Sequence, residues 1–132
     1  MKVPKWIPLL FVLAALYDGL LGLMFLIVPG YTFDLCGVTP PNHMGYVQFP
    51  AALLLIFGLM FANIARSPIR NRGLIPYGIL LKVAYSAVSG WHWITTDIPG
   101  MWKPFTIIDL VMLALFVWAY ALLRPAADVH SP

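Results

Sequence analysis

Four continuous apolar segments, each about as long as a membrane-crossing helix, dominate this chain of 132 residues. They cover about residues 6–28, 46–65, 74–95 and 104–123. The hydrocarbon core of a bilayer takes roughly 20 apolar residues per helical span. The chain is 61% apolar and only 10% charged, which leaves too few charges to cover a water-soluble domain of this size. The sequence therefore predicts an all-α integral membrane protein with one four-span domain.

The twelve prolines lie at or near the ends of these segments. Proline is tolerated in the first turn of a helix and breaks the hydrogen-bond ladder deeper inside it, so the segment interiors favour uninterrupted spans. Pro29 and Gly30 predict the end of the first helix, followed by a long connection over residues 29–45. With short connections elsewhere, the expected architecture is an antiparallel, left-handed four-helix bundle in the membrane.

The basic residues predict how the bundle is oriented. Most of them belong to one side of the predicted topology, namely Lys2, Lys5, Arg66, Arg70, Arg72 and Arg124. Lys103 alone belongs to the other side. The positive-inside rule then predicts cytoplasmic termini, and we expect a protein of a bacterial inner membrane. The net charge of +3 is thus a topology signal, and no basic face on a soluble element predicts nucleic-acid binding.

Three ionisable residues fall inside the predicted spans: Asp18, Lys82 and Asp109. An unpaired charge at the bilayer centre costs at least about 2.5 to 3.5 kcal/mol, so these side chains need partners. At about 1.5 Å per residue, Asp18 and Lys82 differ in depth by roughly 5 Å, which a lysine side chain can cover. We therefore predict an Asp18–Lys82 ion pair in the interior. Asp109 is expected about one turn inside the outer boundary, hydrated from outside or in reach of His92.

The third segment carries its polar side chains on one helical stripe. The stripe comprises Gly78, Lys82, Tyr85, Ser89, His92 and Thr96, spaced four, three, four, three and four residues apart. Lipid would reject such a stripe, so it is expected to face the bundle interior or a partner. The first segment offers a face of small residues around Asp18, with Ala15, Gly19 and Gly22. Gln48, Asn63 and Tyr120 are predicted to complete a polar lining.

The candidate ligand-site residues are therefore Asp18, Lys82, Tyr85, Ser89, His92 and Asp109. The competing interpretation of the Asp18–Lys82 pair is a structural contact that fixes helix register and performs no chemistry. No ligand spacing indicates a metal site, and Cys36 is the only cysteine. A membrane haem usually needs two axial histidines on facing helices, which disfavours haem here because His43 and His130 lie outside the spans. A quinone stays possible as a cofactor.

The chain resembles the DoxX-like membrane proteins in its four short spans and in several polar positions. The resemblance rests on Asp18-Gly19-Leu20, on the stretch 73–82 that ends in Lys82, and on Trp102-Lys103-Pro104-Phe105 ahead of Asp109. It implies membership of a group that includes a subunit of thiosulfate:quinone oxidoreductase, small bacterial membrane proteins and animal assembly factors for membrane receptors. It transfers no catalytic residue to this sequence.

Three functions remain open at this point, and with them the question of whether the protein is an enzyme. The first is a non-catalytic subunit or an assembly and stabilising component of a larger membrane complex. The second is a quinone-linked oxidoreductase subunit that uses the stripe and His92. The third is a lipophilic-ligand binder, an isomerase or a proton-coupled carrier that uses Asp18, Lys82 and Asp109. The expected partners are the lipid bilayer and either other membrane subunits or further copies of the chain.

Overall fold

The computed structural model describes residues 3–129, and it describes side-chain surroundings for residues 3–123. Within that range the chain is helical and contains no strand. The helices are α1 (Trp6–Ile27), α2 (Pro29–Cys36), α3 (Gly45–Arg66), α4 (Ile75–Thr95) and α5 (Trp102–Val129), with a 3-10 turn at Arg72–Leu74. Lys2, His130 and the side chain of Arg124 lie outside the described residues. The all-α class is confirmed.

Three helical stretches are long and apolar enough to cross a membrane: Trp6–Ile27, Gly45–Arg66 and Trp102–Leu123. The protein therefore has the helices of an integral membrane protein. Helix α4 is of similar length but does not reach the same apolar content, because it carries Lys82 together with hydroxyl groups and glycines. Its role as a fourth span, and with it the four-span bundle, stays a prediction.

The connection expected as a loop over residues 29–45 contains a helix. Helix α1 ends at Ile27, the backbone leaves the helical conformation at Val28, and α2 begins at Pro29. Proline favours the first turn of a helix because its missing N–H would be unpaired there in any case. Pro29 therefore ends one helix and begins the next. Helix α2 ends at Gly37, which adopts the left-handed conformation (φ 68°) common at helix C-termini.

Helices α1 and α3 run antiparallel and approach each other closely through glycines. A β-carbon added at Gly22 would lie 2.7 Å from the carbonyl oxygen of Ala51. A β-carbon at Gly58 would lie 3.0 Å from the Cα of Gly19 and 3.1 Å from the carbonyl oxygen of Ala15. The small-residue face predicted on the first segment thus receives α3, and close backbone packing of this kind is typical of helix pairs in membranes.

Two apolar clusters form the ends of the interior. Near the α1 N-terminus, Phe11, Phe61 and Phe116 meet with ring centroids 4.9 to 6.1 Å apart, so that α1, α3 and α5 share one core. The other end holds a smaller cluster around Phe25 and Phe33. Lys82 belongs to neither cluster although it is fully buried. The polar interior adjoins the first cluster, because the Nζ of Lys82 lies 5.9 Å from the ring centroid of Phe61.

Candidate functional site

A single buried lysine joins three helices at the centre of the site. The Nζ of Lys82 in α4 lies 3.1 Å from both Oδ1 and Oδ2 of Asp18 in α1. It lies 3.0 Å from Oδ1 of Asp109 in α5. Because the two Asp18 oxygens belong to one carboxylate, they share one N–H of the ammonium, and Asp109 accepts from another. The ion pair predicted between Asp18 and Lys82 is present, and Asp109 is its third member. We call these three residues the ion cluster.

Helix register brings the ion cluster to mid-depth. Lys82 and Asp109 are each the eighth residue of their helix, about 10 Å from its first residue. Because α4 and α5 run antiparallel, the first residues of the two helices lie on opposite sides of the protein. The lysine side chain covers the remaining difference in depth between Lys82 and Asp109. Asp18 lies in the second half of α1. The three side chains are almost fully enclosed, with 0% of Lys82, 1% of Asp18 and 6% of Asp109 exposed.

Aromatic rings surround the lysine. The Nζ of Lys82 lies 5.3 Å from the ring centroid of Tyr17 and 5.9 Å from that of Phe61. An ammonium within about 6 Å of an aromatic centroid is attracted by the negative face of the ring. Helix α3 thus contributes an apolar ring to the cluster, and Tyr17 of α1 covers another side. Tyr17 was not predicted as a site residue, because nothing in its spacing separates it from the aromatic residues at helix surfaces.

Three buried hydroxyl oxygens have no hydrogen-bond partner within the described part of the chain: the Tyr17 and Tyr85 hydroxyls and Ser86 Oγ. Tyr17 covers one side of the Lys82 ammonium, and Tyr85 lies three residues after Lys82 on α4. Ser86 lies one helical turn beyond Lys82 and is 9% exposed. Buried polar groups in proteins are nearly always paired, with protein or with ordered water, so these three oxygens need an explanation.

The stripe predicted on α4 divides into an inner and an outer part. Gly78, Lys82 and Ser89 are buried and Tyr85 is half-buried, as expected of an interior face. The Ser89 Oγ donates to the backbone of Tyr85 and lies 2.8 Å from the hydroxyl oxygen of Thr106 in α5. Thr106 lies one turn before Asp109 on the same face, so its spacing from Asp109 is sufficient to predict that it also points inward.

The outer part of the stripe behaves differently from the expectation. His92 and Thr96 are exposed, and so are Trp91 and Trp93. The expected contact between Asp109 and His92 is wrong, because the Asp109 carboxylate turns to Lys82. The imidazole of His92 makes no hydrogen bond with the described residues, and its backbone carbonyl accepts from both the N–H and the hydroxyl of Thr96. His92 is thus separate from the ion cluster.

The three residues expected to complete the polar lining lie elsewhere. Gln48 donates from Nε2 to the carbonyl of Leu26, and the exposed Asn63 accepts from the side chain of Asn71 through its backbone carbonyl. Asp109 lies near the N-terminal end of α5, whereas Tyr120 lies three helical turns further along the same helix. Its ring stacks under the guanidinium of Arg72, which also donates to its carbonyl. None of the three contacts the ion cluster.

Two surface clefts lie at the helix ends and do not include the cluster. A cleft of about 430 Å³ is bounded by residues 36–39 and 99–101, and it includes the exposed thiol of Cys36. A second cleft, of about 520 Å³, is bounded by Val3 and residues 67–70. Because Val3 precedes α1 while residues 67–70 join α3 to α4, this contact shows that these helix ends meet on one side.

Among the described residues, no group of three or more His, Cys, Asp or Glu side chains is placed to hold a metal ion. The ion cluster has only two carboxylates, and both already contact an ammonium. The roles of Asp18, Lys82, Tyr85, Ser89, His92 and Asp109 in binding a ligand stay predictions, as does a quinone cofactor.

Comparison with known proteins brings no match, either to a family model, to a curated protein or to a solved structure. The site must therefore be interpreted from its own geometry.

Proposed function

We propose that this protein is a four-span integral membrane protein that serves as a non-catalytic subunit or assembly component of a larger membrane complex. In this proposal the ion cluster fixes the register of α1, α4 and α5. The observation that carries it is the contact of the fully buried Lys82 ammonium with both Asp18 and Asp109, which joins three helices. Buried polar contacts of this kind rigidify a core and specify how its helices pack.

The contacts of Lys82 also support α4 as a fourth span. Because Lys82 bonds to the interiors of α1 and α5, which are both apolar enough to cross a membrane, α4 runs beside them at the same depth. Its 21 residues extend about 31 Å, close to the thickness of a hydrocarbon core. The outward face of α4 bears exposed apolar side chains: Tyr77, Leu80, Val83, Val88, Trp91 and Ile94. Of the polar groups that lower its apolar content, Lys82, Ser86 and Ser89 lie on the buried face.

The outward face of α4 supports the part of the proposal that concerns a partner. Ala84 and Ala87 are exposed there, between larger side chains such as Leu80 and Trp91. Small residues at a helix surface let another membrane helix approach closely. In contrast, the small residues around Gly22 and Gly58 are already covered within the chain.

The distribution of basic residues supports an orientation with the α1 N-terminus and the α3–α4 connection in the cytoplasm of a bacterial cell. Lys5, Arg66 and Arg70 are exposed at that end, whereas Lys103 lies at the other end beside Trp93. The positive-inside rule relates such an excess to the cytoplasmic side.

Purification in mild detergent from the native host tests this function. We expect the chain to elute with other membrane proteins, at a mass above that of its own monomer or dimer. The Ala87→Trp variant should release those proteins, because the indole blocks close approach at the outward face of α4. The matched control is Ala62→Trp on the exposed side of α3, which should retain them. Elution of the wild-type chain alone, as a monomer or homodimer, would contradict the proposal.

A further inference from the structure

The ion cluster contains one acid more than it has bases. Asp18, Lys82 and Asp109 would together carry a net negative charge if all three were ionised. The groups packed around them supply no compensating cation: α1 adds the phenol of Tyr17, α4 adds the phenol of Tyr85, and α3 adds the ring of Phe61. A net charge enclosed in the apolar part of a membrane is strongly unfavourable, and proteins avoid it by pairing or by neutralisation.

The geometry distinguishes the two carboxyl groups. Asp18 places both of its oxygens 3.1 Å from the Lys82 ammonium, which is the arrangement of an ionised acceptor. Asp109 uses Oδ1 alone, at 3.0 Å. Its Oδ2 makes no hydrogen bond with any described residue, so this oxygen is free to carry a hydrogen. A protonated carboxyl keeps accepting through one oxygen and donates through the other.

The unpaired hydroxyls provide acceptors for such a hydrogen. The hydroxyl oxygens of Tyr17 and Tyr85, on two different helices, are buried without a hydrogen-bond partner among the described residues, and the Tyr17 ring centroid lies 5.3 Å from the Lys82 Nζ. Ser86 Oγ on α4 is unpaired as well, in a side chain more than nine-tenths buried. Buried water characteristically bridges polar groups that would otherwise be unsatisfied. A carboxylic acid at Asp109 would give this set of hydroxyls a donor through such a water.

We propose that the ion cluster is a proton-binding site, with one proton held on Oδ2 of Asp109 at neutral pH. The bound proton leaves an ionised Asp18–Lys82 pair beside a neutral acid, so that the cluster carries no net charge. The site thus goes beyond a structural contact, because gain or loss of the proton changes the charge inside the bundle. The proposal does not depend on which proteins assemble with the chain.

Infrared spectroscopy of the full-length protein in bilayers, isotope-labelled at the aspartate side-chain carboxyl, tests the proposal. We expect the carbonyl stretch of a protonated aspartic acid at neutral pH, shifted by the label. Asp34 and Asp97 are exposed at the helix ends, outside the enclosed interior to which the band is assigned. Absence of the band from the wild-type protein at neutral pH would overturn the proposal, and this measurement needs no variant.

Two pairs of variants then check the charge balance and locate the proton. Asp109→Asn should abolish the band, whereas the control Asp97→Asn should leave it unchanged. In Asp109→Glu the proton should move to an unlabelled glutamic acid, so that the protonated carboxyl loses its isotope shift. In Asp18→Glu the shift should remain. A band that survives in Asp109→Asn, or that loses its shift in Asp18→Glu only, would overturn the assignment to Asp109.

Discussion

Gly22 and Ala51 bring the backbones of α1 and α3 into direct contact. A β-carbon at Gly22 would lie 2.7 Å from the Ala51 carbonyl oxygen and 2.9 Å from the backbone nitrogen of Leu55. Both neighbours are backbone atoms, so no side-chain rotation could make room. The close approach aligns α3 beside α1, and α1 carries Asp18 one helical turn before Gly22. Packing at this glycine therefore contributes to the geometry of the ion cluster.

We expect Gly22→Val to destabilise the protein by more than the roughly 1 to 3 kcal/mol typical of overpacked cores, since the obstruction is backbone. The measurement is the unfolding midpoint in mixed detergent micelles. The matched control is Gly90→Val in α4, where an added β-carbon meets nothing within 4 Å. Equal midpoints for the two variants would show that the α1–α3 contact is looser than described.

Removal of the lysine charge should be the most damaging change at the ion cluster. Lys82→Met leaves Asp18 and Asp109 buried without their common donor, and breaking a buried ion pair costs about 3 to 5 kcal/mol. The control is Val83→Met on the exposed face of the same helix, which should have little effect. Unfolding in mixed micelles again provides the measurement.

The double variant Asp18→Asn/Lys82→Met tests whether the residues act together. If the cluster is a structural unit, removal of both charges should recover part of the stability lost in Lys82→Met, because one uncompensated carboxylate disappears. Losses that simply add would indicate that Asp18 and Lys82 contribute independently, contrary to their contact at 3.1 Å.

The sequence predicts the helices well because lipid imposes a simple rule on them. Each of the four apolar segments corresponds to a long helix, whose start lies within two residues of the predicted start. The contact between Asp18 and Lys82 was also predictable, since their positions along the predicted segments differ in depth by less than a lysine side chain can cover.

The third member of the cluster was harder to predict. The depths of Asp109 and Lys82 are counted from opposite ends, because α4 and α5 are antiparallel. Residue spacing within one helix also does not show how that helix is rotated about its axis relative to its neighbour. His92 therefore looked like an equally good partner until the packing of α4 on α5 placed it outside. The inward direction of Tyr17 depends on tertiary packing for the same reason, whereas the spacing of Thr106 from Asp109 does predict that the two share a helix face. Helix α2 was missed because proline can end a helix or begin one.

The single cysteine offers a direct test of the proposed topology. Cys36 is exposed at the end of α2, on the side opposite the α3–α4 connection. A membrane-impermeant maleimide added to intact spheroplasts should label it. In a Cys36→Ser background, Ser67→Cys should be labelled only after the membrane is permeabilised. Labelling of both positions from the same side would contradict the antiparallel spans, and a reversed pattern would contradict the orientation.

Arg72, in the α3–α4 connection, binds to Tyr120 near the end of α5. Its guanidinium lies 3.7 Å from the ring centroid of Tyr120, and its Nε and Nη2 donate to the Tyr120 carbonyl at 3.2 and 3.1 Å. A stacked, forked contact of this kind needs the planar guanidinium, so lysine cannot replace it.

We therefore expect Arg72→Lys to lower stability by about 1 to 2 kcal/mol, the size of a partly desolvated cation–π contact with its hydrogen bonds. Arg70→Lys is the matched control, because Arg70 is exposed in the same connection and makes no side-chain hydrogen bond within the described chain. Both variants keep the positive charge, so the orientation signal is unchanged and a difference between them reports the contact with Tyr120. If the two variants unfold at the same midpoint, the connection is not held to α5 through Arg72.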